Sequence, residues 1–316
     1  MELWQLQQLQ GLPLEVKIRK TQERIKEWYE HWNGQAYISF SGGKDSTVLL
    51  DLVRGLYPDV EAVFIDTGLE YPEIKNFVRA FDNVKCFRPS KTFRQVIDEY
   101  GYPVVSKEVA DCVQGARKGQ QYRIDRLNGT LKDNHGNKSM FNQEKWKFLL
   151  DAPFKISHQC CAVMKKQPIY RFEKETSKKP FIGMMADESR LRKQLWLKNG
   201  CNAFNNKRPS SNPISFWTEQ DILQYIKRFN LHYCSVYGEI KTEDEIQGQM
   251  CLEGMAHDLI TTGVKGTGCM FCMFGVHLEK EPNRFQMMKE THPKQYNYCI
   301  NKLGIGKVLD YINIKY

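Results

Sequence analysis

The chain has 316 residues, of which 41% are apolar and 26% charged, and a formal net charge of +9 at pH 7. That balance excludes a disordered or collagen-like polypeptide, and with no apolar run long enough to span a bilayer and no secretory leader in MELWQLQQLQGLPLEVKIRK, no membrane partner and a cytoplasmic location are expected. The excess positive charge favours acidic partners: a nucleotide, a nucleic acid or both.

Within residues 1–35, Leu14, Ile18, Ile25, Trp28 and Trp32 recur at helical spacing between polar positions, which predicts an N-terminal amphipathic helix. From residue 36 the pattern alternates. Strands are expected at Tyr37–Phe40, Val60–Ile65 and Val84–Phe87, with helices from Ser46, after Pro72 and from Thr92. Alternation of this kind implies βαβ units and an α/β fold, a Rossmann-like parallel sheet flanked by helices. Residues 115–150 interrupt it with a polar, basic, Gly/Asn-rich stretch that reads as an insertion or mobile surface segment. A helix from near Cys160 to about Thr176 and a short strand at Pro180–Met184 resume the pattern. Thr218 and Asp221 form a start signal for the helix Ile222–Phe229. The nucleotide-binding domain is therefore expected over residues 36–240. A C-terminal cysteine-loop and helical region follows over 241–316, ending in short helices divided by Pro293 and Gly304.

Where the first strand meets its helix, the turn reads Ser41-Gly42-Gly43-Lys44-Asp45-Ser46. A Gly turn that opens a helix aims backbone N–H groups and the positive helix end at one spot, an anion site suited to phosphate. The glycines allow close approach, and Ser41, Ser46 and Thr47 add hydroxyls. Asp45 after the lysine, and the glycine spacing, distinguish the turn from a Walker A loop.

Ten cysteines in a cytoplasmic chain argue for metal or redox use of some of them rather than a disulfide framework. Cys86, Cys112, Cys201, Cys234, Cys251 and Cys299 stand apart and read as buried apolar thiols. Cys160-Cys161 and Cys269-Met270-Phe271-Cys272 are close pairs more than a hundred residues apart, able to converge on a metal centre. Adjacent cysteines chelate one small ion poorly, whereas a cluster with separate iron corners accepts them. A [4Fe–4S] cluster is thus favoured over zinc, with zinc and unmetallated thiols still open.

The turn at 41–46 resembles the SGGxDS pyrophosphate loop (PP-loop) of the ATP pyrophosphatase and adenylyl-sulfate or phosphoadenylyl-sulfate (PAPS) reductase superfamily. The resemblance implies that Ser41, Gly42, Gly43, Lys44, Asp45 and Ser46 grip ATP, or the sulfate or phosphate end of an adenylyl sulfonucleotide. Phe64-Ile65-Asp66-Thr67-Gly68, with Tyr71-Pro72-Glu73, is similar to the second nucleotide motif, which implies that Asp66 and Thr67 reach adenosine. Gly183 to Arg192 resembles a Gly-x-Arg-x-x-Glu-Ser-x-x-Arg loop, implying that Glu188, Ser189 and Arg192 close over phosphates; Met185 stands where that pattern usually has arginine. Asn212-Pro213-Ile214, Trp217 and Asp221 resemble an Asn-Pro-Leu…Trp…Asp segment. The two cysteine pairs, with Lys165, Lys166 and Pro168, resemble the cluster motif of adenylyl-sulfate reductases and DNA phosphorothioation proteins. This implies Cys160, Cys161, Cys269 and Cys272 as ligands, with the lysines offsetting the charge of the cluster.

Three activities follow from the resemblance. One is an ATP pyrophosphatase that uses Mg²⁺ to adenylate an acceptor, such as a nucleic acid, for sulfur transfer. Lys44, Asp45 and Arg192 would be its catalytic residues, and a sulfur-donor or reductant protein its partner. The second is a sulfonucleotide reductase releasing sulfite. This chain lacks the Glu-Cys-Gly motif that carries the nucleophile in such reductases, and Cys299 is the nearest substitute. The third is a nucleotide- and cluster-binding regulator. Neither the acceptor nor the oligomeric state is indicated by the sequence.

Overall fold

A computed structural model describes residues 1–242, 245 and 258–316, so Cys251 lies outside the described residues. The chain divides into two compact units. The first comprises Met1–Asp66, Glu70–Phe87 and Tyr170–Thr267, and the second Thr67–Leu69, Arg88–Ile169 and Gly268–Tyr316. Among the described residues no helix is long and apolar enough to cross a membrane.

The first unit is built on a six-stranded, mostly parallel sheet, which bears out the α/β expectation. Strand β1 (Ala36–Ser39) lies between β2 (Ala62–Ile65) and β5 (Lys179–Ile182), parallel to both. Beyond β2 comes β3 (Val84–Phe87), and beyond β5 comes β7 (Ser210–Ser211), which carries the antiparallel β6 (Asn202–Ala203) at the far edge. Tyr37 and Ile38 point to opposite faces of the sheet and are both fully buried, as a strand covered by helices on both sides requires. The crossovers are α3 (Lys44–Arg54) and α4 (Pro72–Arg79). Helix α3 begins two residues before the predicted Ser46, because Gly43 is extended and caps it.

The amphipathic N-terminal stretch becomes two helices, α1 (Leu3–Gln10) and α2 (Leu14–His31). Helix α2 buries Leu14, Lys17, Thr21, Ile25 and Trp28, one residue per turn on a single stripe. Two of these are polar, and both are answered by helix α10 (Glu219–Arg228) and the residues just before it. Lys17 forms a buried ion pair with Asp221 at 2.6 Å, and the Trp217 indole donates to Thr21 at 2.9 Å. Asp221 also accepts from the Thr218 amide, completing the capping box that starts α10. The Trp217 and Asp221 of the resemblance therefore anchor the N-terminal helix.

In the second unit, the stretch expected as an insertion or mobile segment carries ordered structure. Helix α6 (Lys107–Arg117) is capped by Ser106, and α7 (Gln121–Asn128) is closed by Gly129 at φ +72°. Asp133 then organises a hairpin turn by accepting from the amides of His135 and Asn137. The Arg117 guanidinium fastens the end of the segment by donating to the carbonyls of Leu149, Leu150, Ala152 and Phe154. These side-chain-to-backbone bonds bridge long stretches of sequence and leave no periodic signal. In the tail, Pro293 opens one short helix and Gly304, at φ +71°, precedes the last.

Removing one partner of the Lys17–Asp221 pair should be costly, because it leaves a buried charge uncompensated. Asp221→Leu strands the Lys17 ammonium, while Lys17→Met leaves a carboxylate still bonded to the Thr218 amide and hydroxyl. Chemical denaturation should show a loss of about 3 kcal/mol or more for Asp221→Leu and a smaller loss for Lys17→Met. Equal losses would mean that the helix cap does not shelter the carboxylate.

Candidate functional site

The predicted phosphate turn sits where β1 delivers it, at the C-terminal edge of the parallel sheet and the N terminus of α3. Gly42 has φ +73°, and a Cβ there would meet Val78 at 2.7 Å and Ile74 at 3.0 Å, so glycine is required on both counts. Two hydroxyls, those of Ser46 and Thr47, brace the turn. The Ser46 hydroxyl donates to the Gly43 carbonyl at 2.9 Å and accepts from the Ser41 amide at 3.2 Å, and Thr47 donates to the same carbonyl at 3.0 Å. The Ser46 and Thr47 protons thus shape the loop from within.

Lys44 is buried, and its ammonium has three partners: Glu219 at 3.1 Å, the Lys265 carbonyl at 3.0 Å and the Tyr237 ring at 5.4 Å. Burial works against its charge, but Asp45 and Glu219 outweigh it and hold Lys44 above the ordinary lysine range. Its backbone N–H, the first of α3, donates to the Tyr237 hydroxyl at 3.2 Å, which in turn bonds Thr267 at 2.8 Å. Glu219, Tyr237, Lys265 and Thr267 had no sequence signal, because each reaches the loop from about two hundred residues away.

Asp45 is the outlier of the group. Its Oδ1 is buried without a hydrogen-bond donor, and Lys44 Nζ stands 4.0 Å from it. Burial, then Glu219, pushes its carboxyl above the usual aspartate range, against the pull of Lys44 and Arg192. A carboxylate oxygen lacking a donor is one that a divalent cation could take as a ligand, so Asp45 is a residue that could hold a metal ion here.

Arg192 lies in α9 (Arg190–Asn199), half-buried and within electrostatic reach of Asp45. Burial lowers its pKa and Asp45 opposes that shift. Glu188 pairs with the Arg192 guanidinium and accepts from the Met185 amide at 2.8 Å, while Ser189 caps α9 by accepting from the Arg192 amide. Met185, standing at the arginine position of the pattern, is buried in the core. Asp66 directly follows β2, at the same sheet edge as the loop, and pairs with Lys75 at 2.8 Å. Thr67 belongs to the second unit and accepts from the Leu69 amide. The structure thus gathers Lys44, Asp45 and Arg192 at one helix end.

In the second unit, one cavity is lined by Cys160, Cys161, Cys269 and Cys272, together with Leu69, Phe93, Pro103, Met164, Lys165 and Phe271. The segment 102–105 acts as the template. Tyr102 bridges Ile156 on the approach to the first cysteine pair, and β4 (Val104–Val105) pairs in parallel with β10 (Met273–Phe274), directly after Cys272. Val105 has φ +62°, a left-handed backbone that is strained for a β-branched residue. Cys160 and Cys161 open a helix whose next residues, Ala162–Lys166, form a π turn. Their sulfurs are 3.9 Å apart. The Cys161 thiol is lowered to about 6 by its hydrogen bond with Cys160, then by Lys107 and Lys165, while Cys160 is raised. Burial raises Cys272, and Arg284 opposes it.

Among the described residues, no group of three or more His, Cys, Asp or Glu side chains is arranged to hold a metal ion. A donor set of four thiols around one cavity, with cations beside it, fits a cluster whose irons each take one thiolate. Of the other thiols, Cys112, Cys234 and Cys299 are buried as expected and Cys201 is half-buried, but Cys86 is exposed on β3.

A parallel sheet with a glycine turn, a lysine and an arginine converging on one helix end defines an α/β protein with a candidate anion site at the sheet's C-terminal edge. The chain belongs to the phosphoadenosine phosphosulfate reductase domain family, whose model matches residues 35–124 and 106–272. An uncharacterized protein of Methanocaldococcus jannaschii is 35% identical over 97 residues, covering 28% of this chain and 24% of that protein. A second from the same organism is 42% identical over 84 residues, covering 25% and 18%. The chain therefore spans less than a quarter of the length of these two relatives. The adenosine 5'-phosphosulfate reductase of Anoxybacillus flavithermus is 24% identical over 233 residues, covering 73% of this chain and 80% of that one.

The raised Asp45 carboxyl sets a pH test. An aspartate whose folded-state pKa is raised costs stability once pH exceeds that value, and the cost vanishes below the unfolded value of about 4. Asp45→Asn should therefore melt at a higher temperature than the parent protein at neutral pH. The advantage should fade as pH falls towards about 4. A less stable variant at neutral pH would refute the account of the orphaned carboxylate.

Proposed function

We propose that this chain is an enzyme that binds an adenine nucleotide with Mg²⁺ at Ser41–Ser46. It splits ATP between the α and β phosphates and adenylates an acceptor, which then receives sulfur. The observation that carries this reading is the N terminus of α3, where Lys44, Arg192 and the donor-less carboxylate of Asp45 converge. An acceptor oxygen attacks the α-phosphorus, the bond from that phosphorus to the bridging oxygen breaks, and pyrophosphate leaves. Lys44, Arg192 and the first amides of α3 offset the charge gathering on the leaving group. Glu188 and Ser189 hold Arg192 in place, and Asp66 and Thr67 are assigned to adenosine by the family motif. A sulfur nucleophile from a donor protein or hydrosulfide then displaces AMP. A [4Fe–4S] cluster on Cys160, Cys161, Cys269 and Cys272 would supply electron transfer or a resting place for sulfide.

Sulfonucleotide reduction is the second reading, favoured by the similarity to adenosine 5'-phosphosulfate reductases. Cys299 does not serve it as the nucleophile. It is fully buried, and burial pushes its thiol up. The 316 residues contain no Glu-Cys-Gly.

Protein purified without oxygen and given labelled ATP and Mg²⁺ should yield AMP and pyrophosphate, and Lys44→Ala should lower turnover by about a hundredfold or more. Sulfite formed from adenylyl sulfate and a reductant, without ATP cleavage, would replace this reading by the reductase. Loss of neither nucleotide in any assay would leave a binding protein. Cys269→Ser should lose iron and the brown colour of the parent protein, and full iron content in that variant would mean the ligand set is wrong.

A further inference from the structure

We infer that the second unit carries a docking surface for single-stranded nucleic acid on α7 and residues 138–148. This deepens the proposed reading by naming the acceptor, and it rests on that reading only for the acceptor's chemical role. Residues 117–148 hold eight lysines and arginines against three acidic residues. Arg123, Arg126 and Lys138 are committed to Asp111, Glu108 and Glu144, and Arg117 to backbone carbonyls. Lys118, Lys132, Lys145 and Lys147 are exposed and make no ion pair among the described residues. Four unpaired cations on one short stretch are a phosphate-binding charge, not a solvated mixture of signs.

The same stretch exposes rings. Tyr122 is 53% accessible, Phe141 56% and Phe148 40%, and Met140 beside them is 75% accessible. Side chains of this kind are normally covered, and here they are held open by the local structure. The Arg126 guanidinium lies 5.9 Å from the centre of the Tyr122 ring and donates to the Phe141 carbonyl at 2.7 Å, so the backbone that carries Phe141 is tied to the helix that carries Tyr122. The Gln143 amide bonds the Arg126 carbonyl, and the Trp146 amide bonds the Gln143 carbonyl. Trp146 lies 6.1 Å from Phe148 and carries the Lys145 ammonium 5.1 Å from its ring centre. Exposed rings interleaved with unpaired lysines on a braced backbone match unpaired bases strung on phosphates, which offer a π-face and a charge at each step. Duplex DNA hides those faces, and an acidic protein surface gives the rings nothing to stack on.

The test is fluorescence anisotropy with labelled single-stranded DNA, single-stranded RNA and a duplex of the same sequence, across a salt series. Binding should favour the single strands. Tyr122→Ala/Phe141→Ala should weaken it by roughly tenfold or more. Lys145→Ala/Lys147→Ala should flatten the salt slope by about 0.7 per lysine removed. The relative affinities for the DNA and RNA strands show which of the two the surface prefers. All these side chains are exposed, so the variants should keep the parent melting temperature; Lys132→Glu provides a second probe should one of them not. Lys44→Ala should bind the strands as the parent does, which separates failure here from failure of the nucleotide reading. No binding at low salt, equal affinity for duplex, or variants that bind like the parent would overturn the proposal. So would capture of an acidic protein in place of the oligonucleotides.

Discussion

Everything the first unit can do depends on how tightly the chain turns between β1 and α3. The strand is locked between two parallel neighbours, and the helix begins within a few residues of its end. The connection must reverse direction against α4, where Val78 and Ile74 leave no room for a side chain at Gly42. Only then do the amides of α3 face outward at the sheet edge, free of the sheet's own hydrogen bonding. Ser46 and Thr47 hold the Gly43 carbonyl from the helix side, so the loop's shape is maintained by its own hydroxyls.

Around that loop the charges are balanced but not satisfied. Lys44 has more partners than it needs, and Asp45 has fewer. A site meant only for stability would pair the two closely; here they stand 4.0 Å apart with Arg192 and Glu219 nearby. Such an arrangement keeps a cation and an anion receptor side by side, which is what a metal-bound polyphosphate presents. The thiol cavity of the second unit shows a similar tension, with one sulfur pushed towards thiolate and its neighbour away from it.

Local signals in the sequence placed β1, α3, α4 and the capping box of α10 within a few residues of where they fold. Those elements are specified by short-range periodicity, turn chemistry and caps. What escaped was long-range. Tyr237 and Lys265 reach Lys44 from about two hundred residues away, and Val105, which pairs with Phe274 just beyond the second cysteine pair, has a strained backbone that no residue type announces. The basic stretch was legible as charge, but not as the helix and braced hairpin that Arg117, Arg126 and Asp133 make of it. Met185 was legible as a departure, standing where the motif usually has arginine, and the core holds its side chain.

The Tyr237 hydroxyl already occupies the first amide of α3, steadied by Thr267. A phosphate entering there must exchange a bond already made, so one contact gains it little. Small monoanions, which offer a single point of attachment, gain no foothold over the phenol. An anion that also reached the Lys44 ammonium and the Arg192 guanidinium would displace the phenol through those further contacts. The tyrosine thus raises the number of attachment points that any anion would need at this helix end.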